Sequence, residues 1–324
     1  MKKNIIAISA AVLILCWIPI SAQCKVLKIG TVMIVKHPDL ENILKGFTKI
    51  LAENGYKENE NIKFDNNEAS GDKEKLSAII KKFSTPANGY DLIFAITAPC
   101  AIGCLKSIKE IPIVYAAVKP SPVELGIAET LSSSGNNGTG QYMLLPIMQI
   151  ISLVNQSLTD VKKVAYLYDK KIGLSTTNID EIKKNSKKFN IEIESVPVED
   201  KNDALKALKS LSKEIGAIVI DNDMEVLKAR AAVVEEAKKM GIPVFSTNEK
   251  AVEEGAVATM TPDYYDDGMT AGKAAIRILK NEKPSAIPIE KSKKTRLIIN
   301  FISVKELNLK FSPSLLKMAD KLIK

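Results

Sequence analysis

The 324-residue chain holds one histidine, His37, in the loop Val35–Asp39, immediately before a proline. A lone imidazole acts as a general base only beside a nucleophile and an orienting carboxylate, and no G-x-S-x-G elbow is there to supply the serine. Its position supports a ligand-contact or structural polar role. Cys100 and Cys104 stand one helical turn apart. A cystine within one helix would be strained, and no cluster of other ligands accompanies the pair for a metal, so they read as two small buried thiols. The glycine-rich run Gly135–Gly140 lacks the Lys-Ser/Thr that completes a phosphate loop. Asp221–Glu225 is too short and mis-spaced for a calcium loop. Asn137-Gly138-Thr139 matches a glycosylation sequon by chance, given a leader of bacterial type. No catalytic residue, metal or other cofactor is expected.

The elements that would position these residues alternate in kind. Val26–Phe47 opens with near-alternate apolar residues, as a strand does, passes His37-Pro38, and continues with Leu40, Ile43, Leu44 and Phe47 on one helical face. Strand Leu27–Ile34 and helix Leu40–Asn54 are followed by Asn61–Asn66 with Asp72–Phe83, by Asp91–Thr97 with a helix from Pro99, and by Ile111–Val118 and Gly138–Met143. From Pro146 the pattern restarts: helix Ile147–Leu158, strand Lys163–Tyr168, helix Thr177–Asn190, strand Ile191–Val198, helix Ala204–Ile215, strand Ala217–Ile220 and helix Glu225–Met240. Strands Ile242–Ser246 and Ala256–Thr261, helix Tyr264–Lys280, a linker Asn281–Ser292, strand Arg296–Phe301 and a helix near Pro313–Ile323 complete the chain. Strands alternating with helices predict parallel sheets with right-handed crossovers, and the restart at half-length predicts two similar α/β lobes. In open parallel sheets a ligand sits beyond the carboxyl ends of the strands, where Val35–Asp39 would lie.

Composition is consistent with this. The chain is 46% apolar and 26% charged, ordinary for a globular protein. Met1–Cys24 has a basic start at Lys2 and Lys3, an apolar run Ile5–Ile20 interrupted by Pro19, and small residues Ser21-Ala22. That order describes a secretory signal peptide rather than a membrane span. Cleavage after Ala22 and lipidation of Cys24 are alternative ends, and both predict a protein of the periplasm or cell surface. Without Lys2 and Lys3 the formal charge falls from +8 to +6, as 44 basic minus 38 acidic residues. The lysines are interspersed with acids, with no arginine-rich or aromatic-interleaved stripe, so nucleic acid is not an expected partner. The roughly 300 remaining residues predict two domains.

HPDLENILKGFTKILAENGY, DLIFAITAPCA, IPIVYAAV, IPVFSTNEKAVEEGAVATMTPDYYDDGMTAG, ILKNEKPSAIPIE and INFISVKELNLKFSPSLLKMADKLI resemble stretches of ABC-transporter substrate-binding proteins. The resemblance is to the group associated with tryptophan and other aromatic amino acids, related to the periplasmic type I binding proteins, and runs from about Leu27 to Ile323. It implies two Rossmann-like lobes with parallel sheets joined by a three-segment hinge. Residues 25–142 with 264–290 would form the first lobe, and 143–263 with 291–324 the second. It also implies a monomer that traps a small solute, an amino acid and possibly an aromatic one, in the inter-lobe cleft and delivers it to a membrane permease powered by an ATPase. No enzymatic activity is implied.

The resemblance carries ligand contacts onto Val35, Lys36, His37 and Pro38 after the first strand, and onto Thr97, Ala98 and Pro99 after the third. There, free N–H groups at a helix start can receive a carboxylate. Lys119, Pro120 and Ser121 follow the fourth strand. In the second lobe Gly173, Leu174, Ser175 and Thr176, then Asp221 and Asn222, then Asn248, hold the matching places. Asp221 is the acidic partner for an amino group, or the N-cap of the next helix, or both. Of Tyr264 and Tyr265, neighbours that point apart, at most one faces the cleft, and a hinge role is the plainer one. The sequence departs from the group at Lys119-Pro120-Ser121, where Thr-Asp-Pro is common, at the loop Asp169–Thr176, and at Thr97-Ala98-Pro99, where Ala-Thr-Pro is usual. Two other readings remain open: a ligand sensor of a receptor with the same fold, and an exported α/β hydrolase with His37 as base.

Overall fold

The computed structural model describes residues 25–144, 146–170 and 173–324. The segment expected to be a leader, with Cys24, lies outside these residues.

Strand β1 (Leu27–Met33) buries its last five residues and feeds α1 (Pro38–Glu53). Pro38 stands at the helix start, where its missing N–H costs nothing, and Leu40, Ile43, Phe47, Ile50 and Leu51 form the buried stripe. Next come β2 (Ile62–Glu68), α2 (Lys73–Ser84), β3 (Leu92–Ile96), α3 (Ala98–Ser107), β4 (Ile113–Val118) and β5 (Gly138–Tyr142). Asp72 caps α2, its Oδ1 accepting from Lys75 N–H at 2.8 Å. β3 and β4 are buried throughout, as strands covered on both faces must be.

The chain then crosses to a second sheet through α4 (Ile147–Ser157), β6 (Lys163–Asp169), α5 (Gly173–Ser186), β7 (Glu192–Val198), α6 (Lys201–Lys209) and β8 (Ile215–Ile220). It continues with α7 (Met224–Lys239), β9 (Val244–Ser246), α8 (Glu249–Glu253) and β10 (Ala258–Pro262). It returns as α9 (Tyr264–Leu279), which packs on α1, and as β11 (Glu290–Lys291), which adds beside β5. A third crossing leads to β12 (Thr295–Asn300), α10 (Phe301–Glu306), α11 (Pro313–Met318) and β13 (Lys321–Ile323). The sheet orders are β11-β5-β4-β3-β1-β2 and β13-β12-β10-β9-β8-β6-β7. Every pairing is parallel except β10 with β12. Each sheet separates two apolar clusters: Phe47 and Phe94 stack at 3.9 Å on one face of the first, while Phe83, Tyr115 and Cys104 fill the other.

Three of the expected helices have ends well away from where they were placed. The helix expected over Ala204–Ile215 stops at Lys209, and Ile215 opens β8. The helix expected to run to Ile323 stops at Met318, and Lys321–Ile323 pairs with β12 instead. Both errors share a cause, since a few apolar residues at helical spacing (Ala204, Leu208, Leu211, Ile215) fit a continued helix as well as a strand start. Helix α5 begins at Gly173 rather than Thr177.

Candidate functional site

The carboxyl ends of β1, β3 and β4 carry Val35–Asp39, Thr97–Pro99 and Lys119–Ser121. Those of β6, β8 and β9 carry the start of α5, Asp221–Asp223 and Thr247–Asn248. The two edges meet. Asp39, in the first turn of α1, lies within electrostatic reach of Glu249 and Arg296 of the second sheet. Burial lifts its carboxyl above the usual range and Glu249 adds to this, while His37 and Arg296 oppose it. Glu249 is held on its own side by Lys321 Nζ at 2.9 Å and Arg296 Nη1 at 3.4 Å. Tyr264, the first residue of α9, sits at the seam. Its ring is partly buried, and its hydroxyl lies against Thr261 and Asn222. Tyr265 is 38% exposed, while its backbone carbonyl faces Gly46 of α1.

On the first edge, His37 is the N-cap of α1, its Nδ1 accepting from Asp39 N–H at 3.3 Å. Val35, Lys36, His37 and Pro38 are all exposed. Thr97 has φ 89° and ψ 156°, a conformation glycine adopts freely and threonine only under constraint. Such constraint clusters at ligand-holding loops. The Thr97 hydroxyl turns to Cys100 Sγ at 3.6 Å instead of capping α3, so among the described residues no side chain caps the first N–H groups of that helix. Thr97 and Ala98 are half-buried and Pro99 is exposed. Burial pushes the Cys100 thiol up to about 11 and Cys104 further, so both stay protonated at neutral pH. Lys119 is exposed and makes no ion pair among the described residues, while Ser121 Oγ accepts from Val123 N–H at 3.3 Å.

On the second edge, Asp221 is 5% exposed. Its Oδ1 accepts from Asn222 N–H at 2.6 Å and Thr247 Oγ1 at 3.4 Å, and its Oδ2 accepts from the Tyr166 hydroxyl. Burial first, then the Asp221 charge, drives the Tyr166 hydroxyl far above its ordinary range, so it remains a donor. Asp221 is not the N-cap of α7: Asp223 takes that position, and its Oδ2 accepts from Asp169 N–H at 3.3 Å. Asn248 caps α8 through Oδ1, and its Nδ2 donates to Asn222 Oδ1 at 3.1 Å. Leu174, Ser175 and Thr176 fall in the first turn of α5, and their side chains lie outside the described residues. Among the described residues no group of three His, Cys, Asp or Glu side chains is placed to hold a metal.

The structure thus brings Asp39 toward Glu249 and Arg296, and Asn222 toward Tyr264. Glu249, Arg296, Thr247 and Tyr166 escape a reading of strand ends, because contacts between strands of the second lobe, and across to Asp39, join residues far apart in the chain. Their one sequence signal is position next to a strand end or helix start.

Two sheets whose carboxyl edges face each other, with three chain crossings beside the seam, define a type I periplasmic binding-protein fold. Residues 28–323 match the family of ABC transporter substrate binding proteins, and the chain belongs to that family. It is 31% identical over 281 residues to a tyrosine-binding protein of Clostridioides difficile (strain R20291), covering 87% of this chain and 81% of that one. A ligand-free, open substrate-binding protein with adhesive properties from Clostridium difficile superposes with a TM-score of 0.82 at 28% identity, covering 91% and 99% of the two chains. An ABC domain from Streptococcus pneumonia in complex with L-Trp gives 0.77 at 29% identity, covering 92% and 99%. Members of this family bind small solutes and work with a permease and an ATPase.

Proposed function

We propose that this chain captures an aromatic amino acid, tyrosine or tryptophan, in the cleft between its lobes and hands it to an ABC importer. The observation that carries this reading is the seam itself, where Asp39 beyond β1 and Asn222 beyond β8 come close to a partly buried tyrosine, Tyr264. The exposed cation of Lys119 and the uncapped start of α3 suit a carboxylate. On the second edge Asn222 and Asn248 are joined by a hydrogen bond beside Asp221 and supply polar groups there. The similarity to tyrosine- and tryptophan-binding relatives supports the ligand class. No step in this reading is catalytic. A monomer exported by the leader, cut after Ala22 or lipidated at Cys24, belongs to the same proposal, and mass spectrometry of the mature N-terminus separates the two ends.

The chain offers a direct test, because its only tryptophan, Trp17, lies in the leader. A protein beginning at Lys25 has none, so added L-tryptophan reports its own surroundings. A saturable change in its fluorescence, reversed by L-tyrosine, is the expected result. Binding of a sugar or nucleoside, with no response to either aromatic amino acid, would overturn the ligand assignment.

A further inference from the structure

Ser292 ties all three chain crossings together. Its N–H donates to Tyr142 O at 2.8 Å, where the first crossing leaves β5. Its hydroxyl donates to Asp267 Oδ1 at 2.6 Å, in the first turn of α9, just past the second crossing. Ser292 itself begins the third. Beside it, Asp263 N–H donates to Lys294 O at 2.9 Å, and Lys294 Nζ meets Asp266 Oδ1 at 2.5 Å.

The Asp267 carboxyl at this knot is 1% exposed, and its Oδ2 has no hydrogen-bond partner among the described residues. A buried carboxylate with one oxygen unsatisfied is costly, whereas the neutral acid is tolerated. The groups around it make the charge worse. Its own helix contributes Asp263, Asp266 and Tyr264. The third crossing contributes the neutral Ser292 and Lys294, whose ammonium is committed to Asp266, while Lys293 is paired with Glu290. From α1 the neighbouring surface is the Ile43 backbone against Gly268, continuing into Phe47 and Ile50. Burial, then the charges of Asp266 and Asp263, push the Asp267 carboxyl up to about 7, against the pull of the Ser292 hydroxyl.

We propose that Asp267 is a proton-binding site in the hinge, and that its protonation sets the balance between lobe arrangements and hence ligand affinity at the cleft. The affinity half of this inference rests on the proposed binding function; the hinge half does not.

The sign follows from linkage. An exposed aspartate titrates near 4, so in this arrangement the carboxyl adds no penalty below that pH. Its cost grows as pH rises toward about 7. A rotation of the lobes that brings Oδ2 to water lowers the pKa and is favoured as pH rises, by up to tenfold in population per pH unit between the two values.

Small-angle scattering of the ligand-free protein over about pH 4–8 tests the hinge, since that range spans both values. The radius of gyration is expected to shift with a midpoint between about 4 and 7 in the natural protein and to stay flat in Asp267→Asn. Ser292→Ala, which removes the hydrogen bond favouring the carboxylate, is expected to move the midpoint upward and serves if Asp267→Asn does not fold. The Kd for tyrosine should differ several-fold between about pH 6 and 8 in the natural protein and lose that dependence in Asp267→Asn. A radius independent of pH would overturn the proposal, as would a midpoint that survives Asp267→Asn and vanishes in His37→Asn. Failure of tyrosine and tryptophan to bind at any pH would sink the ligand assignment alone, with scattering still deciding the hinge.

Discussion

At the scale of single residues, the buried pair Tyr166 and Asp221 decides what the second lobe's edge can do. The carboxylate holds Tyr166, Asn222 N–H and Thr247 together from inside the lobe, and so keeps the loop after β8 in place. Removing one partner of a charge-assisted buried bond leaves the other unsatisfied, at a cost of about 1.5–3 kcal/mol. Tyr166→Phe is therefore expected to lower stability by about that amount in urea unfolding, and Asp221→Asn by a comparable one. The double variant should lose less than the sum. Additive losses would show that the two side chains do not act on each other. Asp221 was legible as a strand-end acid but not as a residue folded into its own lobe, since Tyr166 lies 55 positions away on another strand. His37 is the reverse case. Its uniqueness in the sequence drew attention, yet its ring is spent on the first turn of α1.

At the scale of elements, α1 and α9 set the geometry of the first lobe through close backbone contact as well as side-chain packing. A Cβ on Gly46 would stand 2.0 Å from the Tyr265 carbonyl oxygen, and one on Gly268 would stand 1.9 Å from that of Ile43. Neither neighbour is a flexible side chain, so the helices must separate to accept even a methyl group. Overpacking of this kind costs typically 1–3 kcal/mol. Gly268→Ala is expected to lower the unfolding midpoint accordingly, and by more than Gly103→Ala, where the new methyl group would meet only the flexible tip of Ile80, its Cδ1 2.5 Å away. Equal behaviour of the two would remove the argument for close approach. Most of the strand and helix order was legible, because apolar period and loop residues agree along β1 to α4. What was not legible follows from missing punctuation. Between Lys209 and Ile215 there is no proline and no glycine, so the apolar spacing ran on past the true helix end. The short α8 and α10 were also missed, each being too brief to show a period.

At the scale of the whole molecule, four apolar clusters sit in two pairs, one pair around each sheet, and the chain passes between the pairs only at three crossings. Each lobe therefore has a core of its own, and the contacts between lobes in the described residues are polar and few: Asp39 toward Arg296 and Glu249, Tyr264 against Asn222. With no ligand, the lobes have little reason to unfold together. A ligand that touches both walls adds the missing coupling, because it binds only while both lobes are folded and close together. At about 100 times its Kd it stabilises the bound form by about 2.7 kcal/mol. Calorimetry of the ligand-free protein is thus expected to show a broad or double transition, and saturating tyrosine to sharpen it into one at higher temperature. A ligand that raised only one of two transitions would be held by a single lobe. That outcome would place the binding site away from the seam at Tyr264, whatever the affinity.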